Sequence, residues 1–398
     1  MPVTKPTALL IPISDHNIAQ LYNCLAADYH TVILLASSHF KKQRKRFISV
    51  LKSIKPDIAL LEADLPNDAD DYEKLRDFVE THLLNKIKGY RLELNGTGGT
   101  KVIPFLLLDM LPIQRVYYKG MKHNYLQSWQ PGQPQSYQQT ELTSKVSAEQ
   151  ALALYSDKMV LATDKTEPYA THPGALAMAE TIWQAYQQAD SAISWLAATL
   201  SHSAWTSSQK EQSFCFTLPD AQQQNSQWQS WFEQLAAFSQ GQLDYQHPTI
   251  TLYSHKNKKH PASLFKRWLS GDWLEQLVQS WLEEVLPHNQ LLCGVKPSTT
   301  GEQGASRELD FICFHNTAGY VIETKVTTEP KQSANKMVQQ LVSLAENFGK
   351  LQKVLFLSPL FFQTRPEGSQ ALKQFIKYCD SHQVKLCRNK TELLALFK

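Results

Sequence analysis

The chain runs to 398 residues, 42% of them hydrophobic and 19% charged, with a formal net charge of +3. That is the make-up of a folded protein of two or three domains, and the charge neither demands nor opposes a polyanionic partner. No stretch approaches the ~20 apolar residues that span a bilayer. The N-terminal "MPVTKPTALLIPISDHN" lacks the basic start and long apolar region of a signal peptide. The six cysteines include no C-x-x-C pair, so neither a zinc site nor a disulfide framework is expected. Reduced thiols in a cytoplasmic protein are the expectation.

The first third alternates strand and helix. TALLIPIS (7–14) is an apolar run ending at Ser14, and Ile18, Leu21, Tyr22 and Leu25 follow at helical spacing. TVILLAS (31–37), DIALLEA (57–63) and YRLELN (90–95) read as strands. Helices are expected over 40–54, 71–84 and 101–111, the last with Pro104 in its first turn, and a hairpin over 113–129. Continuous apolar strands separated by helices predict an α/β fold with a doubly wound parallel sheet. Ligands of such sheets bind at the carboxyl ends of the strands. Here those ends are Ser14-Asp15-His16, Ser37-Ser38 and Asn95-Gly96-Thr97-Gly98-Gly99-Thr100-Lys101.

The glycine stretch is neither a Walker loop nor a dinucleotide fingerprint, because the spacing differs from both. Consecutive glycines still let backbone approach a ligand closely and leave amides to cradle an anion. Thr100 and Lys101 add a hydroxyl and a charge. A structural tight turn with a solvated lysine is the plain alternative, as is a capping role for His16. The basic run FKKQRKRF (40–47) reads as a solvated helix face.

QPGQPQSYQQT (130–140) is a Pro/Gln/Gly-rich break, expected as a domain boundary. Residues 141 to about 250 read as mostly helical and carry no chemical motif. SHKNKKHPAS (254–263) is a basic connector, and its HKNKKH is a candidate for phosphate contact.

The last third changes character. GDWLEQLVQSWLEEVL (271–286) is a strongly amphipathic helix, with Glu275 at one edge of the apolar arc and Glu284 at the other. A strand near 290–296, a hairpin over 307–326, a helix over 333–348, a strand over 353–359, a helix over 368–379 and a strand over 384–387 follow. If HNTA (315–318) is a four-residue loop, Phe314 faces Gly319 and Asp310 falls opposite Glu323, with Lys325 on the same face. Two carboxylates that close repel unless a cation lies between them or one holds a proton. Oxygen ligands with open positions suit Mg²⁺ or Mn²⁺, and a nearby ammonium suits charge developing on a phosphate. The plain alternative is a salt bridge from Lys325 to Glu323 or Glu308.

Residues 260–398 resemble the PD-(D/E)XK nuclease fold, the restriction-endonuclease-like core. The resemblance implies Asp310 and Glu323 as metal-binding acids, Lys325 as the lysine and Glu275 as the acid of the first core helix. IPISDHN with LNGTGGTK resembles a CARF domain, the Rossmann-like sensor of cyclic oligoadenylates. Together these resemble the cyclic-oligoadenylate-activated CARF nucleases of type III CRISPR defence. The implied layout is a CARF domain (1–140), a mostly helical middle region (141–255) and a nuclease domain (256–398). The implied activity is metal-dependent endonuclease cleavage of DNA or RNA by a homodimer, activated by cyclic tetra-adenylate. Ser14, Asp15, His16, Thr97, Gly98, Gly99, Thr100 and Lys101 would line the ring's cleft. A non-catalytic sensor that binds nucleic acid and a ring-degrading nuclease are the rival readings.

Overall fold

The computed structural model describes residues 5–120, 124–143, 146–155, 159–161, 169, 171–188, 191–202, 211–257, 259–297, 308–315, 317–326, 331–348 and 351–398. Apolar runs in the first third form β1 (Thr7–Pro12), β2 (Thr31–Ala36), β3 (Ala59–Asp64), β4 (Arg91–Asn95) and β5 (Ile113–Tyr118), with helices between them. β1 and β2 are buried almost throughout, as strands covered on both faces must be. β6 (Tyr125–Gln130) and β7 (Gln133–Glu141) extend the sheet antiparallel, giving the order β3-β2-β1-β4-β5-β6-β7. β1 pairs in parallel with both β2 and β4. The loops that follow β1 and β4 therefore lie at a topological switch point, the place where open α/β sheets form their ligand cleft.

The expected 113–129 hairpin is present as β5 and β6, with residues 121–123 of its connection outside the described residues. The expected break at 130–140 is instead mostly β7. This edge strand is exposed along nearly its whole length. Its composition therefore follows solvent and carries no buried alternation.

The middle segment also departs from expectation. Helices Ala175–Tyr186, Ala192–His202 and Ser226–Phe238 are there, but β9 (Glu211–Thr217), β10 (Leu243–Gln246) and β11 (Thr249–His255) form an antiparallel sheet ordered β10-β11-β9, and β8 (Met159–Leu161) joins the C-terminal sheet. In β11 the inward positions Ile250, Leu252 and Ser254 recur every second residue, the strand period. The segment packs on the C-terminal unit through aromatic rings. Trp183 meets Trp281 at 5.3 Å and Phe356 at 5.7 Å, and Tyr186 stacks on Trp273 at 5.7 Å.

In the C-terminal third, β12 (Leu291–Pro297), β13 (Leu309–His315), β14 (Ala318–Lys325), β15 (Gln352–Leu357) and β16 (Val384–Cys387) form a sheet ordered β16-β15-β14-β13-β12-β8. β12, β13 and β14 are antiparallel, and β15 and β16 run parallel to β14. The expected helix-strand-strand-strand-helix-strand order is present, with β8 as an added edge.

One short helix joins the two large sheets. Ala148–Ala153 starts at a capping box, in which the Gln150 amide donates to Ser147 Oγ (3.1 Å) and the Ser147 amide to Gln150 Oε1 (3.0 Å). Its buried Ala148, Ala151 and Leu152 lie in one apolar core with Leu9, Ile11 and Leu34 of the first sheet and Val295, Leu309 and Ile312 of the last. The helix packs against helix Lys41–Ile54 on one side and β12 and β13 on the other.

Candidate functional site

β13 and β14 pair with Phe314 opposite Gly319 and Phe311 opposite Ile322, the expected register, but His315 and Ala318 also pair, so the connection is shorter than the four residues expected; Asn316 lies outside the described residues. One step further, the same register sets Asp310 against Glu323. Both acids are buried, with 8% and 2% of their surface exposed. Asp310 Oδ2 accepts hydrogen bonds from the Thr324 amide (2.7 Å) and Thr324 Oγ1 (2.9 Å). Glu323 Oε1 accepts from Lys325 Nζ at 2.5 Å, while Glu323 Oε2 is buried without a hydrogen-bond partner.

Helix Trp273–Glu283 buries Trp273, Leu274, Leu277, Val278, Trp281 and Leu282 and packs on β14. Glu275, in its first turn, acts electrostatically on Asp310, Glu323 and Lys325. Glu284 instead pairs with Lys390 at 2.6 Å, half-exposed on the surface. Of the two edge acids, Glu275 is therefore the one directed at the hairpin.

Burial is the largest influence on all three hairpin groups. It pushes the Asp310 carboxyl well above its usual range, and repulsion from Glu275 and Glu323 adds to it against Lys325 and the Thr324 amide. Burial also raises Glu323, against the pull of Lys325. For Lys325 burial disfavours the ammonium, but Glu323, Asp310 and Glu275 outweigh it, and the net shift is upward. One half-buried cation thus faces an excess of acid. The Lys325–Glu323 ion pair is present, but it leaves Glu323 Oε2 without a hydrogen-bond partner.

Among the described residues, no group of three or more His, Cys, Asp and Glu side chains forms a ready metal cage. The hairpin nevertheless fits a hard divalent cation. Its donors are carboxylate oxygens, one of them is buried without a partner, and the local charge resists a second ionised acid. Added positive charge there inverts that logic.

At the first sheet's carboxyl edge the two loops meet. A Cβ on Gly98 would lie 2.2 Å from the Pro12 carbonyl oxygen and 2.3 Å from Gln20 Nε2, and Gly99 sits at φ +77°. Only glycines let the 95–101 turn press so closely on the end of β1. Asn17 holds the other loop, accepting from the Ser14 amide (2.9 Å) and donating to the Ser14 carbonyl (2.7 Å). Asn95 ties the glycine turn to the first helix, accepting from the Thr97 amide (2.9 Å) and donating to Asn23 Oδ1 (2.8 Å). Asp15 is exposed and within 3.4 Å of Gln43 Nε2; His16 lies 6.1 Å from the Tyr155 ring; Thr100 and Lys101 are exposed on the turn. Ser14, Asp15, His16 and residues 97–101 thus follow the carboxyl ends of two adjacent strands, in a different sheet from the hairpin acids.

Several neighbours escaped sequence reasoning. Lys119, just past β5, donates its amide to Thr97 Oγ1 at 2.9 Å and is only 5% exposed. Burial lowers its ammonium to about 8. Asn17, Gln20 and Asn23 are buried at the first helix; their three-residue spacing on an apolar helix was the available signal. The basic run of 40–47 is not wholly solvated: Arg44 is buried and pairs with Glu62 (2.7 Å) and Asp64 (2.8 Å). In the connector, the His255 and His260 rings stack at 4.1 Å, and Lys258 lies outside the described residues.

No family model and no curated protein matches this sequence. Solved structures do. Protein VC1899 from Vibrio cholerae aligns over 98% of both chains at 15% identity with a TM-score of 0.67. Can2 from Sulfobacillus thermosulfidooxidans, solved in complex with cyclic tetra-adenylate, aligns over 98% of this chain and 99% of its own at 16% identity with a TM-score of 0.62. At such identities the likeness establishes a shared mixed α/β fold along essentially the whole chain.

Proposed function

We propose that this chain is a metal-dependent endonuclease of type III CRISPR defence, switched on by a cyclic oligoadenylate and acting on DNA or RNA. The observation that carries the catalytic half is the buried hairpin cluster, with Glu323 Oε2 unpartnered beside Asp310 and Lys325. The sensing half rests on the cleft at the switch point, and on the cyclic tetra-adenylate bound by the similarly folded Can2. Cyclic tetra-adenylate is accordingly the first activator to test.

In this reading residues 1–140 sense the ring and residues 256–398 cut. Asp310 and Glu323 hold Mg²⁺ or Mn²⁺, which when bound supplies Lewis-acid polarisation and a more acidic water. Lys325 opposes the negative charge that builds on the scissile phosphate, its ammonium kept protonated by the surrounding acids. Glu275 strengthens the acidic field from the neighbouring helix. The apolar packing of helix Trp273–Glu283 keeps this side of the centre dry, where electrostatic terms are largest. At the other end, the glycine turn and Lys101 receive phosphates. Two protomers pair about a two-fold axis so that one symmetric ring lies across both clefts. Phe105, 72% exposed on the helix that begins just after Lys101, offers an apolar contact for that pairing.

The test is cleavage of supercoiled plasmid and of labelled single-stranded RNA with Mn²⁺ and cyclic tri-, tetra- or hexa-adenylate. One ring should activate the parent. Glu323→Gln should fall more than about 100-fold, beyond the range typical of a residue that only supports a ligand. Parental cleavage by Glu323→Gln would sink the assignment. Chromatography of the ring afterwards separates activation from ring degradation.

A further inference from the structure

We propose that Thr324, the residue between Glu323 and Lys325, is a positioning residue that aims Asp310 at the cation. This rests on the metal-dependent reading above. The observation is independent of it: both hydrogen bonds donated to Asp310 from Thr324, the amide at 2.7 Å and Oγ1 at 2.9 Å, fall on a single oxygen, Oδ2.

A carboxylate's terminal torsion is broad and nearly two-fold, so an isolated Asp would sample many orientations. Two donors from one residue fix it. With Oδ2 engaged, Oδ1 is the oxygen left for a cation, and it is presented in one direction only. Thr324 suits the task for three reasons. It is buried, so water does not compete for Oδ2. Its branched Cβ restricts χ1, so the hydroxyl is aimed at little entropic cost. It also lies on the strand that carries Glu323 and Lys325, so the hairpin register fixes all three side chains relative to Asp310. Outer partners of this kind set the geometry of the groups that touch the metal, and their loss typically weakens metal affinity 10- to 100-fold.

The test is Mn²⁺ binding to full-length protein without ring or nucleic acid, followed by loss of the free-ion electron paramagnetic resonance signal. Thr324→Val keeps shape and removes the hydroxyl donor while the amide remains. It should bind Mn²⁺ about 10-fold more weakly, at the low end of that range. Thr324→Ser keeps the donor and should recover most of the affinity. In cleavage assays the Mn²⁺ concentration for half-maximal rate should rise for Thr324→Val, with kcat restored at saturation, a split that a purely structural defect would not produce. Parental Mn²⁺ affinity in Thr324→Val, with binding abolished in Asp310→Asn, would overturn the role of Thr324 and leave the metal site standing. No Mn²⁺ binding by the parent would overturn the metal reading and this one with it. Should Thr324→Val fail to fold, Thr324→Cys keeps a similar outline with a weaker donor and carries the same comparison.

Discussion

At Lys119, burial places an ammonium where small changes of pH alter its charge. With its pKa lowered to about 8, the group is mostly charged at pH 7 and mostly neutral at pH 9. A polyanionic ring binds the charged form better, so ring affinity should fall as pH rises through 8. Hydrogen bonds to charged groups contribute roughly 1.5–3 kcal/mol, so the expected loss is on the order of 10-fold. Lys119→Met should start about 10-fold weaker at pH 7 and show a flatter profile, read by calorimetric titration at both pH values. An identical pH dependence in parent and variant would remove Lys119 from the ligand site. The hairpin residues and Lys119 differ in how they could be found. Asp310, Glu323 and Lys325 share a face through strand alternation, so their proximity in the hairpin was legible from spacing, while the role proposed for them came from the wider resemblance. Lys119 looks like any lysine at a strand end until the neighbouring strand brings Thr97 to its amide. Thr324 has the same history, since alternation assigns it to the face away from Glu323 and only three-dimensional proximity links it to Asp310.

Among the elements, the glycine turn packs tightly on the end of β1. A methyl group on Gly98 would collide with the backbone oxygen of Pro12 and with Gln20, and backbone cannot swing aside as a flexible side-chain tip can. Gly98→Ala should therefore cost about 1–3 kcal/mol, the usual range for overpacking, seen as a lower denaturant midpoint. It should weaken ring binding by moving Thr97 and Lys101 away from the end of β1. Parental stability and parental affinity together would show that the turn has room to move. The elements legible in the sequence were those with one buried face or two: β1, β2, β13, β14 and helix Trp273–Glu283 all carry the periodicity of what covers them. β7 did not, because an exposed edge strand leaves no apolar pattern. β11 carries a buried alternation in Ile250, Leu252 and Ser254, but only two of the three positions are apolar, too short a pattern beside the helical stretches before it.

For the whole molecule, the exposed apolar surface beside the cleft bears on assembly. Phe105 lies four residues after Lys101, on a helix that packs with helix Tyr72–Phe78, whose Tyr72 is also exposed. If two protomers meet here, Phe105→Glu introduces paired charges into the interface and should give a monomer by light scattering. Because the ring would span both clefts, its affinity should drop in the same variant. A parental mass for Phe105→Glu would move the interface elsewhere. The strand order at the two ends of the molecule was readable from apolar periodicity. The middle was not, because Trp183 and Tyr186 define themselves only by the rings they meet on the C-terminal unit.

Helix Ala148–Ala153 carries a thermodynamic consequence. Its alanines and Leu152 belong at once to the apolar core of the first sheet and to that of the last, so neither sheet can melt without stripping the other of buried surface. Through this helix the stabilities of the two sheets are coupled. Any ligand that binds the native cleft alone, at a hundred times its Kd, adds ~2.7 kcal/mol to the stability of the native state. The strands that hold Asp310 and Glu323 share in the gain without touching the ligand.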